Sequence, residues 1–429
     1  MGNARDLLQV LRHREFRLLW LAQSFSMLGD RIITVALALF ITDLTGDATD
    51  LGLVLAAHAL PLVAFLLIGG VWADRLPRKQ LIVVTDLVRF VLHGTLAALI
   101  FLGEAQVWQV IVIEILFGTA EAFFRPAATA LVPQTVPEPE IQEANALIGM
   151  SNNVAEFAGP ALATVLVLGV GAGMAFAIDA ATFVVSALFT IRIRPRRREL
   201  SAAEEAAAEL ERAGGMWSEL RAGYAEVRSR VWIWATLASF SVTVCFGVGP
   251  FFVLGPVVAE QHYGSVGIFG VMEACLGAGL IVGSLLAIRW RPLHPMRLAM
   301  LFACIWPPGI LVFALGVPLA AVLPLVVAGG VGLALFETWW LTALAERIPP
   351  DKLSRVTSYD WMVSLGLLPL GFVLAGPLAN SLGAVEVLVA GTTVAAVAAV
   401  AGTLPRETRN LRRIEGPGRG PAEERPAIL

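Results

Sequence analysis

Twelve apolar stretches, each long enough to cross a bilayer as a helix, follow one another along the 429 residues, and no other feature limits the fold as severely. A membrane-spanning helix takes ~20 consecutive apolar residues, and backbone in hydrocarbon must satisfy its own hydrogen bonds. The stretches run near 15–43, 49–72, 80–103, 107–131, 142–169, 173–193, 231–258, 265–288, 296–315, 318–344, 355–379 and 384–404. The first is too long for a signal-peptide core and has no small-residue cleavage site after it, so it is expected to be retained. Hydrophobic residues are 57% of the chain and charged ones 15%, against about a quarter charged in an ordinary soluble domain. A soluble enzyme, a disordered chain and a secreted disulfide scaffold are excluded. So is an outer-membrane barrel, whose strands alternate polar and apolar residues over short segments.

Orientation follows from where the cations lie. The short loops TGDATD, LGEAQ, GVGAG, AEQHYG, GVP and NSLGA contain no Lys or Arg. The opposite side carries Arg5, Arg12 and Arg14, then Arg75, Arg78 and Lys79, the run from Arg192 to Arg198, Arg289, Arg291 and Arg297, and Arg347, Lys352 and Arg355. By the positive-inside rule that side is cytoplasmic, with both termini inside and an even number of spans. A net charge of −3 shows no bias toward nucleic acid. Cys245, Cys275 and Cys304 lie far apart in apolar stretches and read as small buried hydrophobes.

One long polar segment, 194–230, divides the chain into bundles of six spans, 1–193 and 231–404. Its Ala/Glu run is expected to be helical at the membrane surface, with the Arg cluster at the headgroups. The tail, 405–429, is expected to be cytoplasmic and disordered, most plainly from Gly416 onward. The halves repeat: GGVWADRLPRK from Gly69 corresponds to GSLLAIRWRP from Gly283, and VPEPEIQEANA from Val136 to IPPDKLSRVTS from Ile348. Parallel halves of this kind are a recurring transporter plan, with substrate held between them at the midplane.

At Gly70 the chain reads GVWADRLPRK. This resembles the signature of the loop between spans two and three in the major facilitator superfamily, G-x-x-x-D-R-x-G-R-[RK], with Pro77 in place of the second glycine. FRLLWLAQSFSMLGD in span one, FFRPAATALVP in span four and SRVTSYDWMVSLGLLPLGFVLAGPLA in span eleven resemble one branch of it, exporters similar to the enterobactin exporter and to macrolide or multidrug efflux proteins. The resemblance implies an all-α fold of twelve helices in two pseudo-symmetric bundles. It also implies that Gly70, Asp74, Arg75 and Arg78 form a cytoplasmic gate, Asp74 facing the N-terminus of span eleven and favouring the outward-facing state. The alternative is topogenic, the arginines simply holding the loop inside. Two motifs depart from the family. The span-five antiporter pattern keeps Gly159 and Pro160 but has Ala155, Ala163 and Thr164 for its other glycines, and Glu114 stands where the span-four pattern has arginine before Gly118.

Ionisable side chains at mid-span cost about 2.5–3.5 kcal/mol each on insertion scales, and persist where they line a cavity or pair. The candidates are Asp30 and Arg31, Glu114, Glu121 and Arg125, Glu156, and Glu273, with Asp179 and Glu337 nearer span ends and more structural in character. At 100° per residue, Glu114, Gly118, Glu121 and Arg125 share one stripe, which cannot face lipid. Glu121 and Arg125 are i,i+4 and close enough to pair. Asn145, Asn152, Glu156 and Gly159 make a second stripe in span five. Desolvation and a neighbouring guanidinium pull a carboxylate's proton affinity in opposite directions, so such groups can exchange a proton as a cavity changes sides. Asp30 leads as the coupling residue, followed by Glu121, Glu156, Glu114 and Glu273, with Arg31 and Arg125 as charge partners. Arg31, 100° from Asp30, should reach an acid on a neighbouring helix. The alternative is a set of fixed pairs that set helix register.

Asp86 and Arg89, i,i+3 in span three, are expected to extend the gate charges. Gly149, Gly159, Gly277, Gly279, Gly283, Gly366, Gly371 and Gly376 permit close helix packing. Phe25, Trp339, Trp340 and Trp361, with Asn152, are candidates for a substrate cavity, the aromatics being alternatively interfacial anchors. No zinc spacing, phosphate loop or nucleophile elbow appears, so no metal, cofactor, ATP use or enzymatic activity is expected. The expected protein is a monomeric plasma-membrane exporter of a small amphipathic molecule, exchanging it for protons among membrane lipids. Uptake of a solute or lysolipid is a second transport reading, and a non-transporting sensor or scramblase a different class.

Overall fold

The computed structural model describes residues 9–137, 140–196, 224–290, 292–348 and 350–413. Twelve spans appear, and no strand occurs among the described residues. The first half holds α1 (Arg14–Thr45), α2 (Ala48–Arg75), α3 (Arg78–Leu102), α4 (Val107–Leu131), α5 (Ile141–Val170) and α6 (Ala172–Ile191). The second holds α7 (Val231–Tyr263), α8 (Gly267–Arg289), α9 (Pro295–Ala314), α10 (Leu319–Arg347), α11 (Pro350–Gly366 continuing as Leu368–Leu382) and α12 (Ala384–Gly402). A π-helical turn at Val244–Val248 interrupts α7.

The loops carrying Lys and Arg all lie at one end of the bundle, here the basic end, and the six loops without them at the other, the neutral end. Each neutral-end turn is only one to four residues long and contains one glycine at positive φ: Gly46, Gly103, Gly171, Gly264, Gly316 and Gly383. A left-handed residue after the last helical turn reverses the chain at once, and glycine adopts it without a Cβ clash.

Within the first half α2 lies along α4, α3 packs on α6 and α4, and α1 packs on α5 and α6. In the second, α8 lies along α10, α9 packs on α10, and α7 packs on α11 and α12. The halves meet along two seams, α5–α8 and α2–α11. Both seams rest on glycine. A Cβ at Gly277 would stand 2.7 Å from Glu156 O, and one at Gly376 would stand 2.5 Å from Thr49 N.

At the neutral end a single apolar core runs through both halves, including Leu51, Val54, Phe251, Leu254, Phe372 and Leu388. Toward the basic end the cores separate. One, around Phe16, Leu19, Ile82 and Leu131, belongs to the first half; two others, around Trp232, Met296 and Trp340 and around Met300, Phe336 and Trp339, belong to the second. The molecule is therefore sealed at the neutral end and has its halves parted toward the basic end.

Asp47 fastens the sealed end. It caps α2 by accepting from Thr49 N at 2.8 Å, and Asn380 of α11 donates to Thr49 Oγ1 at 3.0 Å and to Asp47 Oδ1 at 3.4 Å. The Thr49 amide holds the Asp47 carboxyl below the usual carboxylate range. Because the folded-state value is the lower one, the cap's contribution is complete above the unfolded value of ~3.9 and drains as pH falls through the lowered value. Asp47→Ala is expected to cost about 0.5–2 kcal/mol near neutral pH. Thermal melts of the variant and the wild type should converge in acid.

The tail is ordered further than its composition predicts. Arg406–Asn410 forms a short helix, Glu407 accepts from Trp232 N at 3.3 Å, and Arg413 reaches Glu346 at 3.4 Å and donates its amide to Leu293 O at 3.0 Å. Residues 1–8, most of the 194–230 connector and 414–429 lie outside the described residues.

Candidate functional site

Of the stripe predicted on α4, Glu114, Gly118 and Glu121 are buried against α2, while Arg125 is exposed; the two helices touch backbone to backbone, a Cβ at Gly118 standing 3.0 Å from His58 C. That contact sets the His58 ring between Glu114 and Glu121, which lie two turns apart on one face. His58 Nδ1 is 3.1 Å from Glu114 Oε2, and Nε2 is 3.1 Å from Glu121 Oε2. Arg125 completes this end, its NH2 2.6 Å from Glu121 Oε1.

The chain of polar groups continues into α3 and α6. His93 Nε2 faces Glu114 Oε1 across 3.6 Å, beyond hydrogen-bonding range, while His93 Nδ1 is 2.5 Å from Asp179 Oδ2. The His93 ring stacks on Phe117, centroids 3.9 Å apart and planes 5° from parallel. Glu121, His58, Glu114, His93 and Asp179 thus alternate acid and imidazole through four helices. At ~1.5 Å per residue, this chain climbs from mid-span at Glu121 to within about two turns of the neutral end at Asp179.

A second branch lies toward the basic end. Arg89, 0% exposed, places NH2 2.5 Å from Asp86 Oδ1 and NH1 3.8 Å from Asp30 Oδ1. Its guanidinium lies 3.9 Å from the Phe124 ring centroid and 4.3 Å from that of Phe183. Ser186 donates to Asp86 Oδ2 at 2.7 Å. Asp86 and Arg89, expected to extend the gate charges, are fully buried on the α6-facing side of α3 and turned inward. The side chains of Asp74 and Arg75, and Gly70 beside them, lie outside the described residues. Arg78 donates to Ala130 O at 2.8 Å and Lys79 to Ile193 O at 2.9 Å, so both cations serve the C-terminal ends of helices in their own half.

Arg31 does reach an acid on a neighbouring helix: its NH2 is 2.7 Å from Glu156 Oε2, with α1 and α5 brought together at Gly159. Glu273, from the other half, borders the same small cavity of about 30 Å³ together with Phe252 and Pro160. Of the four aromatics, Phe25 and Trp361 are exposed, whereas Trp339 and Trp340 are buried. Trp339 packs edge-on against Trp290 and Phe302; Trp340 packs on Trp232 and donates to Asp360 Oδ2 at 2.9 Å. Asn152 is half-buried on α5.

His58 and His93 are absent from the set expected from sequence, and Asp179, read there as structural, is a full member of the buried chain. Their signal was available: of five histidines in the chain, these two stand well inside apolar spans. Among the described residues no cluster of His, Cys, Asp and Glu has the arrangement of a metal site.

The family model of the Major Facilitator Superfamily matches residues 19–365. Macrolide efflux protein A of Streptococcus pyogenes is 24% identical over 401 residues, covering 90% of this chain and 95% of that protein. A Bacillus subtilis protein provisionally named a bacilysin exporter is 25% identical over 271 residues, 62% of this chain and 64% of that one. Among solved structures, a bacterial homologue of the human lysosomal transporter Spinster superposes with a TM-score of 0.71 at 15% identity, over 97% of this chain and 100% of that one.

Proposed function

Since the chain belongs to the major facilitator superfamily, we propose that it is a secondary active exporter of a small amphipathic molecule, driven by exchange for protons. The observation that carries this reading is the buried chain of carboxylates and imidazoles inside the first half. A fold gains little from so many charges in apolar surroundings, each costly to bury; groups that load and release protons give them a use. The names of the efflux relatives support export. Drugs, antibiotics and siderophore-like molecules are the substrate class.

In this reading the basic end faces the cytoplasm of a cell whose plasma membrane holds the protein, with both termini inside. Residues 1–193 rock against 231–404, with 194–230 as connector. The sealed neutral end then corresponds to an inward-facing state, and Asp74, Arg75 and Arg78 would meet the start of α11 when the molecule turns outward. The protein works as a monomer.

Asp30 is the proposed coupling group. It lies mid-span on α1, its side chain is 30% exposed, and Arg89 stands 3.8 Å away, so it joins the accessible space to the buried branch. In inverted vesicles energised by respiration, with an interior pH dye, amphipathic cations or siderophores should collapse the gradient in wild type, and Asp30→Asn should abolish the collapse. Collapse that survives in the variant would shift coupling to Glu121 or Glu156. Accumulation of labelled solute by right-side-out vesicles, with no gradient collapse, would replace export by uptake.

A further inference from the structure

We propose that His58 is a second proton-exchanging group of this site, needed beside Asp30, held as an imidazolium between Glu114 and Glu121 and discharged when a cationic substrate reaches Glu121. The proposal deepens the antiport reading and rests on it.

Hydrogen-bond valence comes first. A neutral imidazole offers one donor and one acceptor, and ionised carboxylates only accept. His58 Nδ1 is hydrogen-bonded to Glu114 Oε2 at 3.1 Å, and Nε2 lies 3.1 Å from Glu121 Oε2 in an ion-pair contact. A neutral ring would aim a lone pair at one of them; an imidazolium gives each carboxylate a proton.

The surrounding charges agree. From α4 the ring faces Glu114 and Glu121, the latter shared with Arg125. Behind them stand His93 and Arg89 on α3, Asp179 on α6 and Asp30 on α1. From the other half, α7 and α11 also pack on α2. The described acids on those helices are Glu260, exposed next to the neutral-end turn, and Asp360, which is bound by Trp340 and Ser364. With Asp86, five carboxylates are thus gathered around two guanidiniums. The deficit of positive charge is what a proton on His58 reduces.

Accessibility separates His58 from His93. The His58 side chain is 27% exposed, whereas His93 is wholly buried against Phe117 and lies beyond a 3.6 Å gap. Glu114 Oε1, on the far side of His58, has no hydrogen-bond partner and so has valence to spare when the proton shifts. A cation that pairs with Glu121 beside Arg125 removes half of the attraction holding the imidazolium, and the proton leaves to water as substrate arrives.

The test reads the ring directly. Protein labelled with ¹⁵N-histidine in liposomes is examined by solid-state NMR, with tetraphenylphosphonium as the cationic probe. At neutral pH a doubly protonated ring should appear in wild type, vanish in His58→Gln, and lose its second proton when the probe is added. Glu121→Gln, which keeps His58 in place, should leave the ring neutral at the same pH and guards against misfolding of the first variant. His58→Gln should still exchange labelled probe for unlabelled probe while losing transport driven by a pH gradient. A neutral His58 in wild type, or gradient-driven transport undiminished in His58→Gln, overturns the proposal. A wild-type protein that carries the probe with no proton movement overturns the antiport reading instead, whatever the state of the ring.

Discussion

Arg89→Met is expected to destabilise the first half by about 3–5 kcal/mol, the usual cost of stranding the partners of a buried charge. Arg89 has no exposed surface and is bound to Asp86 at 2.5 Å. Asp30 faces it from α1, and Phe124 and Phe183 lie against its guanidinium on α4 and α6. Methionine fills much of the same volume, so the loss would be one of charge and not of packing. Asp86 would be left without its cation where water does not reach, and Asp30 would lose its partner at the edge of the accessible space. The double variant Asp86→Asn with Arg89→Met should recover part of the loss, because it removes one stranded acid; Arg89→Lys should fall between, keeping charge but not the planar stacking. Melting curves of the purified protein in detergent are the measurement. A single variant that melts like wild type would mean the pair is held in place by its surroundings and contributes nothing to them.

Gly376→Val should have its largest effect on conformation. A Cβ at Gly376 meets the backbone of Thr49, and one at Gly52 meets that of Phe372, so neither contact has a side chain able to move aside. Overpacking costs about 1–3 kcal/mol, here charged only to the state with the neutral end sealed. At 1.4 kcal/mol per factor of ten, the sealed state would lose roughly 5–150-fold against the alternative. With Cys245, Cys275 and Cys304 replaced, Ala48→Cys, at a position buried against Gly376 in the sealed state, should react with a membrane-impermeant maleimide far faster in Gly376→Val than in the parent. Equal rates would show that α2 and α11 separate there without resistance from this contact.

The spans were legible in sequence because an apolar run of bilayer length is a strong, local signal. The sixth, expected at 173–193, is Ala172–Ile191, and the twelfth, expected at 384–404, is Ala384–Gly402. Helix α11 starts at Pro350, ahead of the expected 355, because Pro suits a first helical turn while the polar DKLSRVTS that follows carries no hydropathy signal. The site was legible only in part. Carboxylates stand out in an apolar run, so Glu114, Glu121 and Asp30 were visible. His58 and His93 stand inside apolar spans too, but nothing local says what they meet, since their partners lie 56 and 86 residues away. Only the Gly118 contact, a property of two helices together, makes them one site. Trp339 and Trp340 show the converse: aromatics in a span suggest a pocket lining, yet packing with Trp290, Phe302 and Trp232 conceals them.

The six glycine turns bear on how the chain is made. Helices joined by one to four residues enter a bilayer as hairpins, since the second lies alongside the first as soon as it emerges. In the proposed orientation only these turns are translocated, and none carries Lys or Arg, while the basic segments stay on the side of synthesis. Lengthening one of them, or placing an arginine in it, would therefore appear as a topological fault during insertion before it appeared as a loss of stability in the finished protein.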